Sequence, residues 1–298
     1  MTSSLGLWID RVRVSADNRR MDVLTTPAAM RRWRASVTGS VGFVPTMGYL
    51  HDGHLELVRR SCSENLHTVV SIFVNPTQFG PDEDFERYPR DEVRDLNQLR
   101  EAGVDAVYLP SAADMYPPGF QTYVDVRHVT TRLEGEARPG HFQGVSTVVL
   151  KLFNAVQPEK AYFGRKDAQQ LRVIQRMVRD LDLAVEVVPV AIVREADGLA
   201  MSSRNVYLTP AQRAAAPIIK RALDEAAASY ARGERDADRL RFIVAERIST
   251  EPQAHIEYVS LADDETLDEI AEDIDAPALL SVVVRFGQTR LLDNLELP

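Results

Sequence analysis

Two imidazoles three residues apart, His51 and His54, stand in Pro45-Thr46-Met47-Gly48-Tyr49-Leu50-His51-Asp52-Gly53-His54. The apolar run Val41 to Val44 before them reads as a buried strand, and Leu55-Glu56-Leu57-Val58 after them as the start of a helix. A helix N-terminus turns unpaired amides outward and favours an anion. Imidazoles beside such amides make a phosphate clamp, which points to nucleotide chemistry at the end of a parallel strand. Two alternatives stand beside that reading. A metal would want a third His or Cys nearby, and the numerous acids are not arranged as a ligand set. A glycine-containing turn with surface histidines would give the same short string, so support must come from elsewhere in the chain.

That support lies at the ends of other strands. Val69 to Val74 is β-branched and aromatic, reads as a buried strand, and runs into Asn75-Pro76-Thr77-Gln78. Ala161-Tyr162-Phe163 reads as a short strand and runs into Gly164-Arg165-Lys166-Asp167. Helical patterns separate the strands. Arg90 to Ala102 is stopped by Gly103, and Leu171, Ile174, Val178 and Leu181 mark another helix. Phe142, Val145, Val148, Val149, Leu152, Phe153 and Val156 form one apolar stripe, closed by Pro158. Ala106 to Leu109 and Val185 to Val193 are further strands, the latter broken by Pro189. Strand alternating with helix predicts an α/β fold with a doubly wound, mostly parallel sheet. Ligands on such sheets gather at the carboxyl ends of the strands, where the three polar clusters fall.

The pattern changes after about Arg194. Thr209-Pro210-Ala211-Gln212 is a capping box with Pro in the first turn. A long Ala-rich helix follows, with a kink expected at Pro217 and an end at Gly233; Asp236 to Ser249 reads as a second helix. Strands are expected at Ile256 to Leu261, Leu279 to Arg285 and Thr289 to Leu295, the last two as an antiparallel hairpin through Gly287. Three segments result: a polar, mobile extension over 1–20, a first domain over 21–193, and a smaller α+β domain with an antiparallel sheet over 194–298. The stretch Pro117 to Arg138 reads as irregular.

A chain of 298 residues can bury a sizeable core, and 45% hydrophobic with 27% charged residues is ordinary for a globular protein. A net charge of -9 argues against a general nucleic-acid or anionic-membrane binder. An anionic small ligand needs only local positive charge. No apolar run is long enough to span a membrane, and the N-terminus lacks the apolar core and cleavage site of a secretory signal. Cys62 is the single cysteine, so no internal disulfide forms, which fits a reducing cytoplasm. It reads as a half-buried packing residue more readily than as a nucleophile.

Several motifs recur in a fixed order. They are Pro45-Thr46-Met47-Gly48 with His51-Asp52-Gly53-His54, Phe73-Val74-Asn75-Pro76 with Gln78-Phe79-Gly80, and Tyr88-Pro89-Arg90. Then come Arg138-Pro139-Gly140-His141-Phe142 with Gly144-Val145, Phe163 to Asp167 with Gln169-Gln170-Leu171, and Asp197 to Asn205. Together they closely resemble the pantoate–β-alanine ligase family, of the Rossmann-like HIGH-motif nucleotidyltransferase superfamily. The resemblance runs from about Val41 to the C-terminus, specific in the first domain and looser in the second, and leaves 1–20 uncovered. It implies that ATP and (R)-pantoate give pantoyl adenylate and pyrophosphate. The amine of β-alanine then displaces AMP to give pantothenate. It further implies Mg2+ with the ATP, a homodimer, and no nucleic-acid or membrane partner.

On this resemblance His51, His54, Lys166 and Arg204 are the catalytic residues. Phosphoryl transfer asks for positioning and stabilisation of negative charge. ATP is expected against Pro45, Thr46, Met47, Gly48, His54, Gly164, Lys166, Asp167, Val193, Met201, Ser202, Ser203 and Arg204. Lys166 is a mobile cation, Arg204 a planar fork, and the serines are hydroxyl donors. Asp167 reads as a helix N-cap, as a ligand of the ribose, or as both. Pantoate carries a carboxylate, two hydroxyls and a gem-dimethyl group. Gln78, Gln170, Asn75, Met47, Arg138 and His141 are the expected contacts, with Phe73 as a further apolar neighbour. Arg138 and His141 read equally well as helix-start residues, Tyr88 as a mobile flap or as packing, and Ser202 to Asn205 as a plain polar turn. No metal ligands are assigned. Arg165 stands where the family often has an acidic or neutral polar residue, and either adds charge near the phosphates or points to solvent.

Other functions fit less of the chain. A nucleotidyltransferase moving AMP or CMP onto a phosphorylated acceptor would share the His-x-Gly-His logic but gives no reason for the paired glutamines. A non-catalytic ATP-binding regulator would not need Lys166 and Arg204 together with both histidines. An aminoacyl-tRNA synthetase fragment is disfavoured by the acidic charge and the lack of a basic RNA-binding domain.

Overall fold

The computed structural model describes residues 21–81 and 83–298; the extension expected over 1–20 lies outside them. The chain opens with β1 (Asp22–Leu24), α1 (Pro27–Ser36), β2 (Val41–Thr46), α2 (Asp52–Glu64) and β3 (His67–Ile72). A 3-10 turn over Pro76–Gln78 leads to α3 (Glu92–Glu101), β4 (Ala106–Tyr108), the short α4 (Ala112–Met115) and α5 (Glu134–Ala137), and the long α6 (His141–Val156). Then follow β5 (Lys160–Gly164), α7 (Ala168–Asp180) and β6 (Glu186–Val190). The six strands form one sheet in the order β1-β4-β3-β2-β5-β6, and every pairing in it is parallel.

Strand periodicity builds both faces of this sheet. Val41, Phe43, Val69, Ala106, Tyr108, Ala161 and Phe163 pack with Met30 of α1, Val149 and Phe153 of α6 and Ile174 of α7. Val44, Val70, Val107, Tyr162 and Val188 turn the other way, onto Leu57 and Val58 of α2 and Leu99 of α3. Each aliphatic side chain so buried contributes roughly 1.5–3 kcal/mol, which fixes the register of the strands and the direction of their ends.

β2 is the switch point. The chain leaves it for β3 and β4 on one side, then returns to β5 on the other. β2 pairs with β3 over its whole length, Val41↔His67 to Thr46↔Ile72. It pairs with β5 only at Gly42↔Lys160 and Phe43↔Ala161. The carboxyl halves of β2 and β5 therefore diverge, and a crevice opens between them, as expected of ligand sites on such sheets.

The rest of the chain holds a 3-10 turn (Ser203–Tyr207), α8 (Pro210–Ala215), α9 (Ile218–Ala231), α10 (Ala237–Ser249), β7 (Ala254–Asp263), β8 (Ala278–Phe286) and β9 (Thr289–Leu297). The last three form a separate antiparallel sheet, β7-β8-β9. Ile219 and Leu223 of α9 and Leu240 and Val244 of α10 pack on Leu280, Val282 and Val284 of β8. Among the described residues no helix is long and apolar enough to cross a membrane.

Several local expectations differ from this structure. Pro189 does not break its strand. Glu186 N–H donates to the Glu159 carbonyl and the Val190 carbonyl accepts from Arg165 N–H, both at 2.9 Å, so Pro189 faces the free edge of β6, where no N–H is needed. Pro217 does more than kink its helix: lacking an N–H and crowding the preceding turn, it separates α8 from α9. Gln157, at φ 50°, ends α6 before Pro158 is reached. Leu181 falls beyond α7 and is exposed, and Met177 takes its place in the buried stripe.

Candidate active site

The crevice is a cavity of about 250 Å³. Of the residues expected to bind a ligand, all but Gly48 line it. Gly48, at φ +83°, instead lets the chain turn between β2 and α2, and its N–H donates to Thr46 Oγ1 at 3.2 Å.

α2 starts at Asp52, earlier than expected, so His51 is its N-cap and His54 lies in its first turn. Nδ1 of His51 accepts from Gly53 N–H at 3.1 Å, and Nδ1 of His54 accepts from His51 N–H at 3.4 Å. The two imidazoles thus cap the helix reciprocally, with ring centroids 4.0 Å apart. A ring nitrogen that accepts carries no proton, so each neutral ring keeps its N–H on Nε2. Burial lowers the pKa of His51 to about 4, helped by the charge of Lys166. Burial, then His51 and Lys166, holds His54 well below 6.5. At neutral pH both are uncharged donors.

α3 holds this loop in place. Asp95, 1% exposed, accepts from the N–H groups of Tyr49 at 2.6 Å and Leu50 at 2.8 Å. Arg94 donates to the Leu50 carbonyl at 2.8 Å.

The opposite wall comes from the Pro76–Gln78 turn and α6. These approach so closely that a Cβ on Gly144 would lie 2.3 Å from the Thr77 carbonyl oxygen. The Gln78 amide nitrogen sits 3.4 Å from Met47 Sδ. His141 Nδ1–H donates to the Gln78 carbonyl at 2.8 Å, and its Nε2 accepts from Arg138 at 3.2 Å. Burial, and then the Arg138 charge, lowers the His141 pKa to about 4. Arg138 also donates to Glu83, Nε to Oε1 at 2.9 Å. Arg138 and His141 therefore face the cavity and brace the start of α6 at once. Tyr88 lines the cavity too, 6% exposed and packed edge-on to Phe79 at 6.0 Å.

Lys166 projects from the turn after β5, with Nζ 3.5 Å from Asp167 Oδ1. Asp167 holds the N-cap position of α7 without a side-chain cap bond. β9 supports this turn: Asn294 Nδ2 donates to the carbonyls of Arg165 at 3.0 Å and Lys166 at 2.8 Å. Arg165 is not among the cavity's lining residues; its side chain is half exposed and pairs with Glu296 of β9, in line with the solvent-facing alternative. Ser202 Oγ caps its own turn by accepting from Arg204 N–H at 3.3 Å, and Ser203 Oγ donates to the Tyr49 carbonyl at 3.3 Å. Arg204 extends its fork to Asp84, at 3.0 and 2.9 Å.

Sequence reading missed the carboxylates that hold the arginines, and one cation. Arg290 of β9 lines the cavity, gripped by buried Glu134 at 2.9 Å through both terminal nitrogens. Asp95 alone carried a legible sign, a charge sharing the buried face of α3 with Leu99. A larger groove of about 980 Å³ runs along α7. Its five arginines are already paired, Arg127 with Asp125, Arg165 with Glu296, Arg172 with Asp264, Arg176 with Asp180 and Arg179 with Glu265, so it offers an anion little unspent charge. Among the described residues no three His, Cys, Asp or Glu side chains cluster as a metal site.

A family model described as pantoate-beta-alanine ligase matches residues 22–296. Pantothenate synthetase of Chloroflexus aggregans is 59% identical over 274 residues, 92% of this chain and 99% of that protein. Pantothenate synthetase of Herpetosiphon aurantiacus is 56% identical over 279 residues, with the same coverage of 92% and 99%. Among solved structures, pantothenate synthetase from Thermus thermophilus superposes with a TM-score of 0.88 at 49% identity, covering 92% of this chain and 99% of that one. Pantoate-beta-alanine ligase from Francisella tularensis, complexed with beta-gamma ATP and beta-alanine, gives 0.76 at 31% identity, covering 93% and 97%. The match spans the chain from β1 to β9, and the cavity is built from the motifs that first suggested it: the chain belongs to the pantoate–β-alanine ligase family.

Proposed function

We propose that the protein condenses (R)-pantoate with β-alanine, using MgATP and passing through pantoyl adenylate. One observation carries this: a single cavity holds a phosphate-binding half beside a half fitted to a small hydroxy acid. The first half is the N-terminus of α2 with two neutral imidazole donors, and Lys166 and Arg204. The second is Gln78 and Gln170 beside Met47, Phe73 and Val145, amides next to apolar surface. The Francisella relative, described as complexed with beta-gamma ATP and beta-alanine, supports the choice of nucleotide and amine.

A carboxylate is a poor acyl donor because its leaving group is poor. In the first step a pantoate carboxylate oxygen bonds to the α-phosphorus and the bond to pyrophosphate breaks. In the second, the β-alanine nitrogen bonds to the activated carbonyl, the bond to AMP breaks, and the nitrogen gives up a proton. Charge builds on the phosphate oxygens in the first step. Nε2–H of His51 and His54 meets it at the helix N-terminus, with donors set in advance and no buried cation to desolvate. Lys166 follows the phosphates as a flexible cation, Arg204 grips them once freed from Asp84, and Asp167 takes the ribose. Mg2+ arrives with the nucleotide. It would keep its waters and its phosphate ligands and supply charge neutralisation there.

We further read 21–193 as the unit binding nucleotide and pantoate, and 194–298 as a smaller unit closing on the phosphates through Met201 to Arg204. A homodimer in a reducing cytoplasm completes the proposal, from the family resemblance and the single Cys62. The test is AMP release with ATP, pantoate and β-alanine, each omitted in turn. Sustained release is expected only with all three. Release indifferent to pantoate, or dependent on a phosphorylated acceptor, would overturn the assignment.

A further inference from the structure

Asn75 is 1% exposed, and both ends of its amide are engaged. Its Oδ1 accepts from the Tyr116 hydroxyl at 2.7 Å, from Thr77 Oγ1 at 3.0 Å and from Thr77 N–H at 3.4 Å. Its Nδ2 donates to the Gly144 carbonyl at 3.2 Å and to Gln78 Oε1 at 3.0 Å. The Gly144 carbonyl can only accept and the Thr77 N–H can only donate, so this amide has one orientation. Gln78 inherits its own from it. With Oε1 committed to Asn75, its Nε2 lies beside the Met47 thioether, which accepts and cannot donate. What Gln78 offers the cavity is therefore an N–H donor, fitted to an acceptor oxygen such as a carboxylate or a hydroxyl lone pair.

Tyr116 makes the shortest bond in this chain from outside the cavity. Its ring packs behind Phe73, with centroids 6.4 Å apart, and edge-on to Phe120 at 5.1 Å. It lines a separate surface hollow with Pro76 and Phe120. Burial raises the pKa of its hydroxyl, which keeps its proton and stays a donor. We propose that Tyr116 is a positioning residue for the reaction: its hydroxyl holds Asn75, and through Asn75 sets the Gln78 amide with its N–H toward the substrate acid. This rests on the reading that Gln78 binds pantoate.

The test compares steady-state kinetics of the parent, Tyr116→Phe, Gln78→Ala and the double variant. Tyr116→Phe keeps the ring contacts and removes the hydroxyl's bond to Asn75 Oδ1, along with its 3.1 Å contact to Thr77 Oγ1. It should raise the pantoate KM about three- to tenfold, the effect of losing the bond to Asn75, with the ATP KM unchanged. Added to Gln78→Ala it should change the pantoate KM no further, because the two act through one contact. If Gln78→Ala raises the pantoate KM and Tyr116→Phe does not, the positioning role is wrong while the pantoate subsite stands. Equal rises for pantoate and ATP, or additive effects in the double variant, also overturn it. If Gln78→Ala leaves the pantoate KM unchanged, the subsite reading falls and this proposal with it. Should Tyr116→Phe not fold, Thr77→Val removes a neighbouring donor to the same Asn75 oxygen and is judged by the same criteria.

Discussion

Arg204 and Asp84 form a two-point ion pair, Nε to Oδ2 at 3.0 Å and Nη2 to Oδ1 at 2.9 Å. Burial alone would raise the Asp84 pKa; the Arg204 guanidinium outweighs it and holds the carboxyl below its usual range. The neighbouring Glu83 holds Arg138 in the same way. Two adjacent carboxylates of one loop thus occupy two arginines of the site, and an incoming phosphate competes with Asp84 for Arg204.

Asp84→Asn should therefore free Arg204 and tighten nucleotide binding. A partly exposed ion pair contributes up to about 1 kcal/mol, or roughly fivefold in affinity. Titration of the variant with a non-hydrolysable ATP analogue checks it. Weaker binding than the parent would mean that Asp84 assists the nucleotide instead of competing with it.

His51→Ala, His54→Ala and Lys166→Ala should each slow adenylation about a hundred- to a thousandfold with the fold intact. The loss of one transition-state donor costs about 3–4 kcal/mol. Single-turnover formation of pyrophosphate from ATP and pantoate measures the step. A variant that keeps near-parental rates excludes its residue from the chemistry.

His141 makes stability depend on pH. Its pKa is about 4 in the folded chain against an ordinary 6.5, because burial disfavours the charged ring and protonating Nε2 would set a charge against Arg138. The folded state favours the neutral ring. The stabilisation is complete above pH 6.5 and is lost as the pH falls through 4. Between about pH 7.5 and 5 this group alone should remove about 2 kcal/mol. Urea midpoints at the two pH values should separate less in His141→Asn than in the parent, with a residual slope from His51 and His54. An equal slope in both proteins would show that His141 titrates normally.

Gly144→Ala should push the Pro76–Gln78 turn away from α6, because its Cβ would fall 2.3 Å from the Thr77 carbonyl oxygen and 2.7 Å from Gln78 N. Overpacking of this kind costs about 1–3 kcal/mol. The variant should melt earlier and show a raised pantoate KM with little change for ATP. Parental stability and pantoate KM together would show that the turn does not depend on this contact.

The parallel sheet was legible because its strands are buried on both faces and their turns carry chemistry. β1 and α1 were not read at all. β1 is only three residues long and α1 fully buries only Met30, although Thr26 and Pro27 were a usable start signal. The two prolines were misjudged because an edge strand tolerates what a central strand rejects, and a helical break looks like a kink until the chain packs. Arg138, Lys166 and Arg204 were legible because each stands in a turn beside an element, whereas Arg290, inside β9, was not read. The carboxylates that hold the arginines were not read, since loop charges have no period and their partners lie far off in sequence: 120 residues separate Asp84 from Arg204, and 156 separate Glu134 from Arg290.

Isotope exchange between pyrophosphate and ATP tests the adenylate most directly. Enzyme, MgATP and pantoate should carry labelled pyrophosphate into ATP with no β-alanine present, because the first step is complete and reversible without the amine. Exchange should vanish when pantoate is withheld, and should fall in the His54→Ala and Lys166→Ala variants. Exchange that strictly requires β-alanine, or that proceeds at full rate without pantoate, would contradict activation of the pantoate carboxylate as a separate step.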